Sequence, residues 1–418
     1  MSQVRALRAS GRLKVTTPTD PLMSQAKLLD GIVVLDTTQV MAGPYCAMLL
    51  ADMGARVIKV EPPAGDSTRA MAGAVGSDSA AFNAVNRGKL GIVLDLAKPQ
   101  AIDAFKRLAR AADILVENYR PGVMSRLGLD YAALSAENPR LIYASISGYG
   151  QTGPWAAKGG FDLIAQGVCG IMSVTGDAGG PPVKAGVPLT DLGAGLFATI
   201  GILGALHHRT ASGRGQHIDT SLVDAGLALS VWEVTEYFTT GQVPGPLGSA
   251  HRMTAPYQAF RCSDGYITIG AANERNFGKL ADLVGHTEWK SDPRFATDHA
   301  RVRHRSELAA LIDAVTSTRP RAAWLELLDA AGVPCGPILG YDAALATPQA
   351  VAREMTVDVS HPILGPLRTL GTPIKMSEAP LNPTRRGPML GEHTDEVLNN
   401  VGFSDNEIDQ LRSAGAVR

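Results

Sequence analysis

Short apolar runs recur through the first half of the chain, separated by stretches with helical periodicity. Five runs are mostly apolar, which is typical of strands covered on both faces of a parallel sheet. They lie at residues 31–36 (GIVVLD), 56–60 (RVIKV), 91–96 (GIVLDL), 113–117 (DILVE) and 141–147 (LIYASIS). Helical patterns at 45–53 and 98–111 lie between them, so we predict an α/β fold with a doubly wound, parallel, Rossmann-like sheet.

The rest of the chain predicts a second, smaller domain. Residues 192–209 have a long helical pattern, and residues 218–229 continue as another predicted helix. Residues 241–248 are rich in glycine and proline, which is typical of a linker. A hairpin at 257–270 followed by helices at 274–284 and 305–316 predicts an α+β domain, and a late hairpin is predicted at 360–370.

We therefore divide the 418 residues into five segments. Residues 1–27 are predicted to be a flexible N-terminal extension, and residues 28–225 a large α/β domain. A linker at 226–250 leads to a small domain at 251–345. Residues 346–418 are predicted to return and complete the large domain.

Composition argues against several classes of partner. The chain is 45% hydrophobic and 19% charged, which is typical of a globular protein, and its net charge is −1. Such a balance creates no overall field that would attract nucleic acid or an anionic membrane. The longest apolar run, residues 194–206, is too short to span a bilayer. We therefore expect neither nucleic acid nor a membrane as a partner.

The first 19 residues contain four basic residues and no acidic residue. This composition is typical of a mitochondrial presequence. The segment also contains Pro18 and lacks a clear amphipathic pattern, so a disordered extension or a misassigned start codon explains it equally well. We expect a cytoplasmic protein, or a protein of the mitochondrial matrix if the segment is a transit peptide.

Common cofactor and metal motifs are absent from the sequence. The turn after the first predicted strand, residues 37–44, contains one glycine and therefore lacks the dinucleotide fingerprint. There is also no Walker motif, no GxSxG elbow, no HExxH sequence and no paired Cys/His set. We expect no metal and no resident cofactor.

Polar residues follow the fourth predicted strand, at the sheet edge where ligands bind in doubly wound folds. Asn118 and Tyr119 come directly after that strand, and Arg126 lies about one helical turn beyond the loop. An amide, an aromatic ring and a cation together suit a ligand that carries a flat base and phosphates. An ordinary loop with an exposed arginine is the alternative.

Asp191 stands at the predicted start of a long apolar helix, after an extended segment that contains Pro188. An aspartate at a helix start is most often an N-cap. Its position alone therefore does not assign it a chemical role.

Ordered motifs along the chain closely resemble those of the class III CoA-transferases, the family of formyl-CoA transferase and carnitine CoA-transferase. The resemblance runs from about residue 28 to the end. It is carried by residues 40–44, 52–55, 57–61, 65–69, 86–89, 116–122, 147–154 and 210–216. Residues 248–251, 256–260 and 391–394 are most similar to the succinate–hydroxymethylglutarate and succinyl-CoA:dicarboxylate transferases.

The resemblance implies roles for particular residues. It implies that Asp191 is acylated during catalysis and that residues 28–225 form a CoA-binding domain, with the coenzyme A thioester as substrate. It also implies an interlocked homodimer acting on acyl-CoA and small carboxylic acids. The CoA contacts that it implies are Val40, Met41, Ala42, Asn118, Tyr119, Val123 and Arg126.

Two positions depart from the patterns of similar proteins. A racemase branch of the same fold has histidine just before the residue equivalent to Asp162, where this chain has Phe161. Without that acid/base, racemisation at the α-carbon is disfavoured. Residues 248–253 contain one glycine where formyl-CoA transferase has a mobile glycine run, so lid closure is not assumed.

The acyl pocket has four candidate residues. Phe161, Asp162, Arg69 and His251 are candidates, although Asp162 also suits a structural cap after two glycines. The cation for a second substrate carboxylate is left open among Arg69, Arg87, Lys89, Lys158, Lys184 and His251.

We expect CoA transfer from a dicarboxylyl-CoA donor such as succinyl-CoA, through an aspartyl anhydride and an aspartyl-CoA thioester. Three alternatives remain: intramolecular CoA transfer, an acyl-CoA racemase or isomerase of the same fold, and a CoA-binding protein without catalysis.

Overall fold

A computed structural model of the chain describes residues 27–71, 74–76, 78–381 and 385–418. Its central feature is a six-stranded sheet in which all neighbours are parallel, in the order β3-β2-β1-β4-β5-β6. The strands are β1 (Val33–Asp36), β2 (Arg56–Glu61), β3 (Leu90–Val93), β4 (Ile114–Glu117), β5 (Ile142–Ser147) and β6 (His217–Ser221). This is the strand order of dinucleotide-binding doubly wound folds.

Five further strands belong to two smaller antiparallel sheets, β7-β8-β9 and β10-β11. They are β7 (Tyr257–Cys262), β8 (Gly265–Gly270), β9 (Cys335–Pro337), β10 (Thr356–His361) and β11 (Gly365–Leu370). The predicted hairpins at 257–270 and 360–370 are confirmed.

The described helices follow in chain order. They are α1 (Ala42–Asp52), α2 (Ala80–Asn86), α3 (Pro99–Ala111), α4 (Val123–Arg126), α5 (Tyr131–Glu137), α6 (Asp162–Val168), α7 (Ile171–Val174), α8 (Leu189–Ser212), α9 (Leu222–Leu229), α10 (Val231–Thr240), α11 (Glu274–Leu283), α12 (Asp298–Arg303), α13 (Arg305–Thr316), α14 (Arg321–Ala331), α15 (Tyr341–Leu345), α16 (Pro348–Ala352), α17 (Thr394–Asn400) and α18 (Asp405–Ser413). Two short 3₁₀ helices lie at Ser67–Ala70 and Thr287–Lys290.

The predicted α/β fold class is confirmed, with one strand more than expected. The predicted helix at 218–229 is wrong in its first part, because residues His217–Ser221 pair in parallel with β5 and form β6. This strand lies at the sheet edge and is mostly polar, with a partly exposed side, so it lacks the apolar run that identified the other five.

The chain divides into two compact units. The first contains residues up to Cys169, Gly186–Leu229 and Pro348–Arg418, and the second contains Gly170–Ala185 and Ser230–Thr347. The segment predicted as a linker, 226–250, holds the end of α9 and all of α10. The predicted N-terminal extension lies outside the described residues apart from Lys27, so the choice between cytoplasm and mitochondrial matrix stays a prediction.

The sheet of the first unit is covered on both faces, which explains its continuous apolar strands. One core cluster joins β1 and β4 to buried side chains of α3, α5, α17 and α18, and it includes the fully buried Phe105. The other joins the same sheet to α1, α6, α8 and α9. The first unit is therefore a three-layer arrangement with helices on either side of the sheet.

Helix α8 runs for 24 residues and contains an 18-residue stretch with a mean hydropathy of 1.6, so it is long and apolar enough to cross a membrane by length and composition alone. The predicted apolar run was thus shorter than the helix that contains it. A buried helix in the core of a globular protein can have the same length and apolar composition. Nine residues of α8 are buried, several of them in the cluster that covers the sheet.

The second unit has a core of its own. Its three-stranded sheet packs against α11, α13 and α14 through apolar side chains that include Phe260, Phe277 and Trp324. Arg301 is fully buried there and pairs with Glu274 at 3.0 Å.

Two glycines of α8 lead to opposite predictions about stability. A methyl group on Gly195 would lie 2.7 Å from the carbonyl oxygen of Ala42, whereas one on Gly204 would meet no atom within 4 Å. We expect Gly204→Ala to raise the free energy of unfolding by about 0.5–1 kcal/mol through helix propensity. We expect Gly195→Ala to lower it by about 1–3 kcal/mol through overpacking. Urea denaturation measures both, and changes of the same sign would contradict this account.

Candidate functional site

The carboxyl ends of β1 and β4 meet at the centre of the sheet, where the strand order reverses. The register pairs Asp36 of β1 with Val116 of β4. The chain after β1 enters α1 on one face of the sheet, and the chain after β4 enters helices of the other face. Diverging connections leave a crevice at such a switch point. Residues 37–42, the β1 loop, and residues 118–122, the β4 loop, lie at this edge.

The β1 loop is joined to Asn118 by two reciprocal hydrogen bonds. The Gln39 N–H donates to Asn118 Oδ1 at 2.8 Å, and Asn118 Nδ2 donates to the Gln39 carbonyl at 2.7 Å. Val40 has a φ of +70°, which costs a β-branched residue about 1–3 kcal/mol. Its N–H donates to the Asp66 carboxylate at 3.3 Å and 3.4 Å.

Two buried ion pairs contact the β1 loop. Lys59 pairs with Asp66 at 3.0 Å and Lys89 pairs with Asp36 at 2.8 Å, and all four side chains are fully buried. Lys59 also donates to the Thr38 carbonyl, and Asp36 accepts the Thr38 N–H. Burial opposes ionisation of Asp36, but Lys89 and Lys59 outweigh it and hold its pKa below the ordinary value. Burial lowers the pKa of Lys89 to about 8.

The β4 loop follows a buried carboxyl group. Glu117 ends β4 and accepts the Tyr119 N–H at 2.8 Å, and burial raises the pKa of Glu117 to about 7. Tyr119 packs at the edge of the core cluster that contains α3. Val123 and Arg126 are the first and last residues of α4, half-buried and exposed respectively.

Glycines allow residues 159–162 to approach both β5 and the β4 loop. A Cβ on Gly160 would lie 2.7 Å from the Cα of Gly148, just beyond β5. A Cβ on Gly159 would lie 2.7 Å from Arg120 of the β4 loop. A side chain at Gly160 would therefore push the segment before α6 away from the end of β5, whereas at Gly159 the flexible Arg120 side chain could move aside.

Asp162 caps a neighbouring helix rather than its own. The N-cap of α6 is Phe161, which makes no side-chain capping bond. Asp162 Oδ1 instead accepts the N–H of Thr190 at 3.0 Å and its hydroxyl at 2.7 Å, and Oδ2 accepts Gln166 Nε2 at 2.7 Å. Thr190 lies in the first turn of α8, so Asp162 satisfies a donor that this helix start would otherwise leave open.

Asp191 is the third residue of α8 and is half-buried. The N-cap of α8 is Pro188, so the interpretation of Asp191 as an N-cap is wrong. Burial, and then the charge of Asp162, raise the pKa of Asp191 to about 6. Gly195 lies four residues later, on the same side of α8, and contacts the Ala42 carbonyl oxygen closely. Asp191 is thus about one helical turn from the β1 loop.

The other members of the predicted acyl pocket differ in position. Phe161 is 72% exposed in the first unit. His251 lies in the second unit, where its ring contacts Trp232 and Tyr257 with centroid separations of 6.4 Å and 5.2 Å. Its prediction as an acyl-pocket residue stays a prediction.

Arg69 is committed to a structural network. Its guanidinium is buried and donates twice to Glu61, each at 2.7 Å, and it lies 3.2 Å from Asp78. A third donation goes to the Pro388 carbonyl. These bonds compensate the charge of Arg69 inside the protein and argue against it as the ligand of a substrate carboxylate, and its place in the acyl pocket stays a prediction.

Two further candidate cations are also paired. Arg87 binds Asp52 at 2.6 Å, and Lys89 belongs to the buried pairs under the β1 loop. Lys158 is exposed in the segment before α6, with its ammonium 4.1 Å from the centre of the Trp155 ring. Lys184 is exposed in the second unit.

A small cavity of about 190 Å³ lies between α2 and the β10–β11 hairpin, away from the switch point. Arginines line it, but each is compensated by a carboxylate. Its lining residues are Ala80, Asn83, Ala84, Arg87, Val359, Leu367, Arg368, Thr369, Leu370 and Arg386. Neither Asp191 nor the β1 loop contributes to it, so we do not take it as the active site.

Among the described residues, no three His, Cys, Asp or Glu side chains form a group that could hold a metal ion. The expectation that no cofactor is resident stays a prediction.

Comparison with known proteins identifies the family. The model of CoA-transferase family III matches residues 29–394. The chain belongs to this family. Human succinyl-CoA:glutarate CoA-transferase is 36% identical over 413 residues, which is 98% of this chain and 94% of the human protein. Acetyl-CoA:oxalate CoA-transferase of Acetobacter aceti is 42% identical over 364 residues, 87% of this chain and 91% of that protein.

Solved structures agree with this family III assignment. The crystal structure of a CAIB/BAIF family protein from Brucella suis matches with a TM-score of 0.80 and 40% sequence identity, covering 90% of this chain and 100% of that one. The resemblance predicted from sequence motifs is confirmed, as is the prediction that the chain is a CoA-transferase.

Several residues of this family III site were not singled out from the sequence as contributors. Asp66 lies in a recognised motif, residues 65–69, but its contact with Val40 joins separate loops. Thr190 and Glu117 contribute through hydrogen bonds that form in the folded chain, Thr190 with Asp162 and Glu117 with the Tyr119 N–H. Two sequence signals could have identified these residues. Thr190 is adjacent to Asp191, and Glu117 stands at the end of the fourth predicted strand.

The raised pKa of Asp191 predicts a pH-dependent effect on stability. In the unfolded chain its pKa is 3.8, and in the fold about 6. Protonated Asp191 therefore adds stability at low pH, and this contribution is lost as the pH rises from about 4 through 6. We expect the Tm gained by Asp191→Asn to be larger at pH 7 than at pH 4.5.

The matched background is Asp162→Asn, which removes the like charge but keeps an oxygen that accepts from Thr190. We expect the pH dependence of the Asp191→Asn effect to shrink there. A Tm difference that is independent of pH in both backgrounds would contradict the raised pKa.

Proposed function

We propose that this CoA-transferase carries the acyl group on Asp191 while CoA lies along the β1 and β4 loops. The observation that carries the proposal is the contact of Gly195 with Ala42, which holds Asp191 about one turn from the β1 loop. A nucleophile must lie close to the thioester that it attacks. The shared contact supplies that proximity between two elements of the first unit.

The proposed reaction exchanges carboxylates without an external energy source. The Asp191 carboxylate attacks the donor thioester carbonyl, the C–S bond breaks, and CoA leaves as a thiolate. The thiolate then attacks the Asp191 carbonyl of the mixed anhydride, which gives an aspartyl-CoA thioester and releases the donor acid. The acceptor carboxylate attacks this thioester and expels the thiolate, which finally attacks the acceptor carbonyl and regenerates Asp191.

The environment of Asp191 suits this chemistry. Burial and the adjacent Asp162 leave its anion poorly stabilised, which is the cause of its raised pKa. A pKa of about 6 still leaves the group ionised at neutral pH. The result is a carboxylate more reactive than one in water, held in place by the Asp162 cap on Thr190.

The residues proposed to contact CoA lie in the β1 loop, in the β4 loop and in helix α4. The exposed guanidinium of Arg126 supplies a cation suited to phosphate, and Tyr119 supplies an aromatic ring at the same edge. The residues proposed to contact CoA are Val40, Met41, Ala42, Asn118, Tyr119, Val123 and Arg126.

We propose a dicarboxylyl-CoA donor, in particular succinyl-CoA, and a dicarboxylic acceptor. Support comes from relatives named succinyl-CoA:glutarate and succinyl-CoA:mesaconate CoA-transferases. Lys158 is the candidate cation for the distal carboxylate, because its ammonium is exposed four residues before Asp162. Arg69, Arg87 and Lys89 are held in ion pairs.

An interlocked homodimer is also proposed. Apolar side chains are exposed on three helices of the first unit that pack against one another, and a second copy would cover such a surface. They are Phe161, Leu163, Ile164 and Val168 at α6, Leu196, Phe197 and Ile200 on α8, and Leu227 and Leu229 on α9.

Racemisation and intramolecular transfer remain the competing reactions. Phe161 supplies no acid or base, which favours transfer over racemisation. Deuterium incorporation at the α-carbon of an acyl-CoA would reveal a racemase, and turnover without a free acceptor would reveal intramolecular transfer.

The covalent role of Asp191 predicts that an acyl-enzyme can be trapped. We expect hydroxylamine quenching after incubation with succinyl-CoA to leave a hydroxamate on Asp191, detected by peptide mass spectrometry. Asp191→Asn should lose the modification and about a thousandfold or more of the transfer rate, because the nucleophile is absent.

Asp162→Asn is the matched control, since it alters a neighbouring carboxyl group and should still be modified at Asp191. Modification at a different carboxylate, or near-normal transfer by Asp191→Asn, would contradict the proposed mechanism.

The proposed substrate class predicts how donors rank. We expect succinyl-CoA to exceed monocarboxylyl-CoA esters in kcat/KM, and Lys158→Gln to reduce the preference by about tenfold through loss of one charge-assisted bond. Lys375→Gln, which removes another exposed lysine, is the control and should leave the preference intact. A preference for monocarboxylyl esters would refute the dicarboxylate proposal.

A further inference from the structure

Val40 is held in an unfavourable backbone conformation at the switch point. It is β-branched and has a φ of +70°, in the left-handed region that favours glycine. Among the described residues, Glu354 is the other non-glycine residue with positive φ, at +50°. Strain of this kind persists where surrounding groups enforce it, so the partners of the β1 loop are informative.

Asp66 is the side chain that binds the strained peptide. Its two oxygens accept the Val40 N–H at 3.4 Å and 3.3 Å. Asp66 is itself fixed, because Oδ1 accepts the Thr68 N–H and hydroxyl at 3.0 Å and 2.8 Å. Oδ2 accepts Lys59 at 3.0 Å, and both charged side chains are fully buried. A buried ion pair with these partners has little freedom to move.

The backbone on the N-terminal side of Val40 is fixed as well. The Thr37 N–H donates to the Val116 carbonyl, the Thr38 N–H to Asp36, and the Gln39 N–H to Asn118. Lys59 occupies the Thr38 carbonyl. Each N–H from residue 37 to residue 40 therefore has a partner outside the loop's own backbone, and Asp66 supplies the last one.

We propose that Asp66, supported by Lys59, is a positioning residue for CoA: it holds Val40 at positive φ so that the β1 loop presents one fixed backbone surface to the substrate. This rests on the proposed contact of CoA with Val40, Met41 and Ala42. Two residues of the motif at 65–69 then have separate roles. Arg69 forms structural bonds with Glu61, and Asp66 holds the conformation of the β1 loop. The buried pair makes no contact with the reacting carbonyl in this scheme.

The proposal predicts coupling between residues 66 and 40. Asp66→Asn weakens the charge-assisted bonds that enforce the Val40 conformation, so we expect the Kd for CoA, measured by isothermal titration, to rise about tenfold. Glycine adopts positive φ without strain and needs no such enforcement. In the Val40→Gly background, the same Asp66→Asn change should raise the Kd less than about threefold.

Glu354→Gly is the matched control, because it relieves a positive φ elsewhere in the first unit. It should not reduce the effect of Asp66→Asn on the Kd. If Asp66→Asn fails to fold because Lys59 is left as an unpaired buried charge, the double change Lys59→Met with Asp66→Asn removes both charges together. The same comparison is then made with and without Val40→Gly, and a Tm is recorded for each protein.

The outcomes separate this inference from the proposed function. Equal losses in the Val40 and Val40→Gly backgrounds, or rescue by Glu354→Gly, would overturn the positioning role. The positioning role would also be overturned if Asp66→Asn left the Kd for CoA unchanged while Arg126→Ala raised it. In that case the proposed CoA contacts would still stand. If Arg126→Ala and Asn118→Ala both leave the Kd unchanged, the proposed CoA contacts themselves fail.

Discussion

The parallel pairing of β1 with β4 is the constraint on which the candidate site depends. Three registered residue pairs, ending at Asp36 and Val116, bring two carboxyl ends to one place in the sheet. The chain then leaves these strands toward opposite faces, since α1 joins one core cluster and α4 and α5 join the other. The polar residues at this edge are therefore gathered by backbone hydrogen bonds, and side-chain contacts refine an arrangement that the sheet has already set.

This arrangement requires the desolvation of charged side chains, which is unfavourable. Four charged side chains, Asp36, Lys59, Asp66 and Lys89, are removed from water at the edge of the sheet. Buried ion pairs add little net stability compared with apolar packing, because desolvation consumes most of the attraction. Their value in this chain is geometric: each charge is bonded to the β1 loop or to a group that supports it. Apolar side chains could fill the same volume but could not fix the direction of a peptide N–H.

The sequence predicts the elements here better than the contacts between them. Continuous apolar runs identified β1 to β5 because burial on both faces leaves a direct compositional trace. Strand β6 escaped because His217–Ser221 lies at the sheet edge, where polar residues are tolerated. Asp162 could be recognised as a cap, but the Thr190 that it caps lies 28 residues later, and only the folded chain brings the two together. The positive charge of Arg69 suggested an anionic ligand, but in the structure its guanidinium pairs with Glu61 and Asp78.

Gly195 has a consequence for anyone who alters this protein. With hydrogen as its side chain, α8 rests directly on the carbonyl oxygen of Ala42, and no rotamer at that contact can adapt to a change on either side. The start of α1 and the first two turns of α8 therefore form a single rigid block for redesign. Substitutions on the exposed face of α6 around Phe161 would leave this block undisturbed, but they would fall on the surface proposed for the second copy.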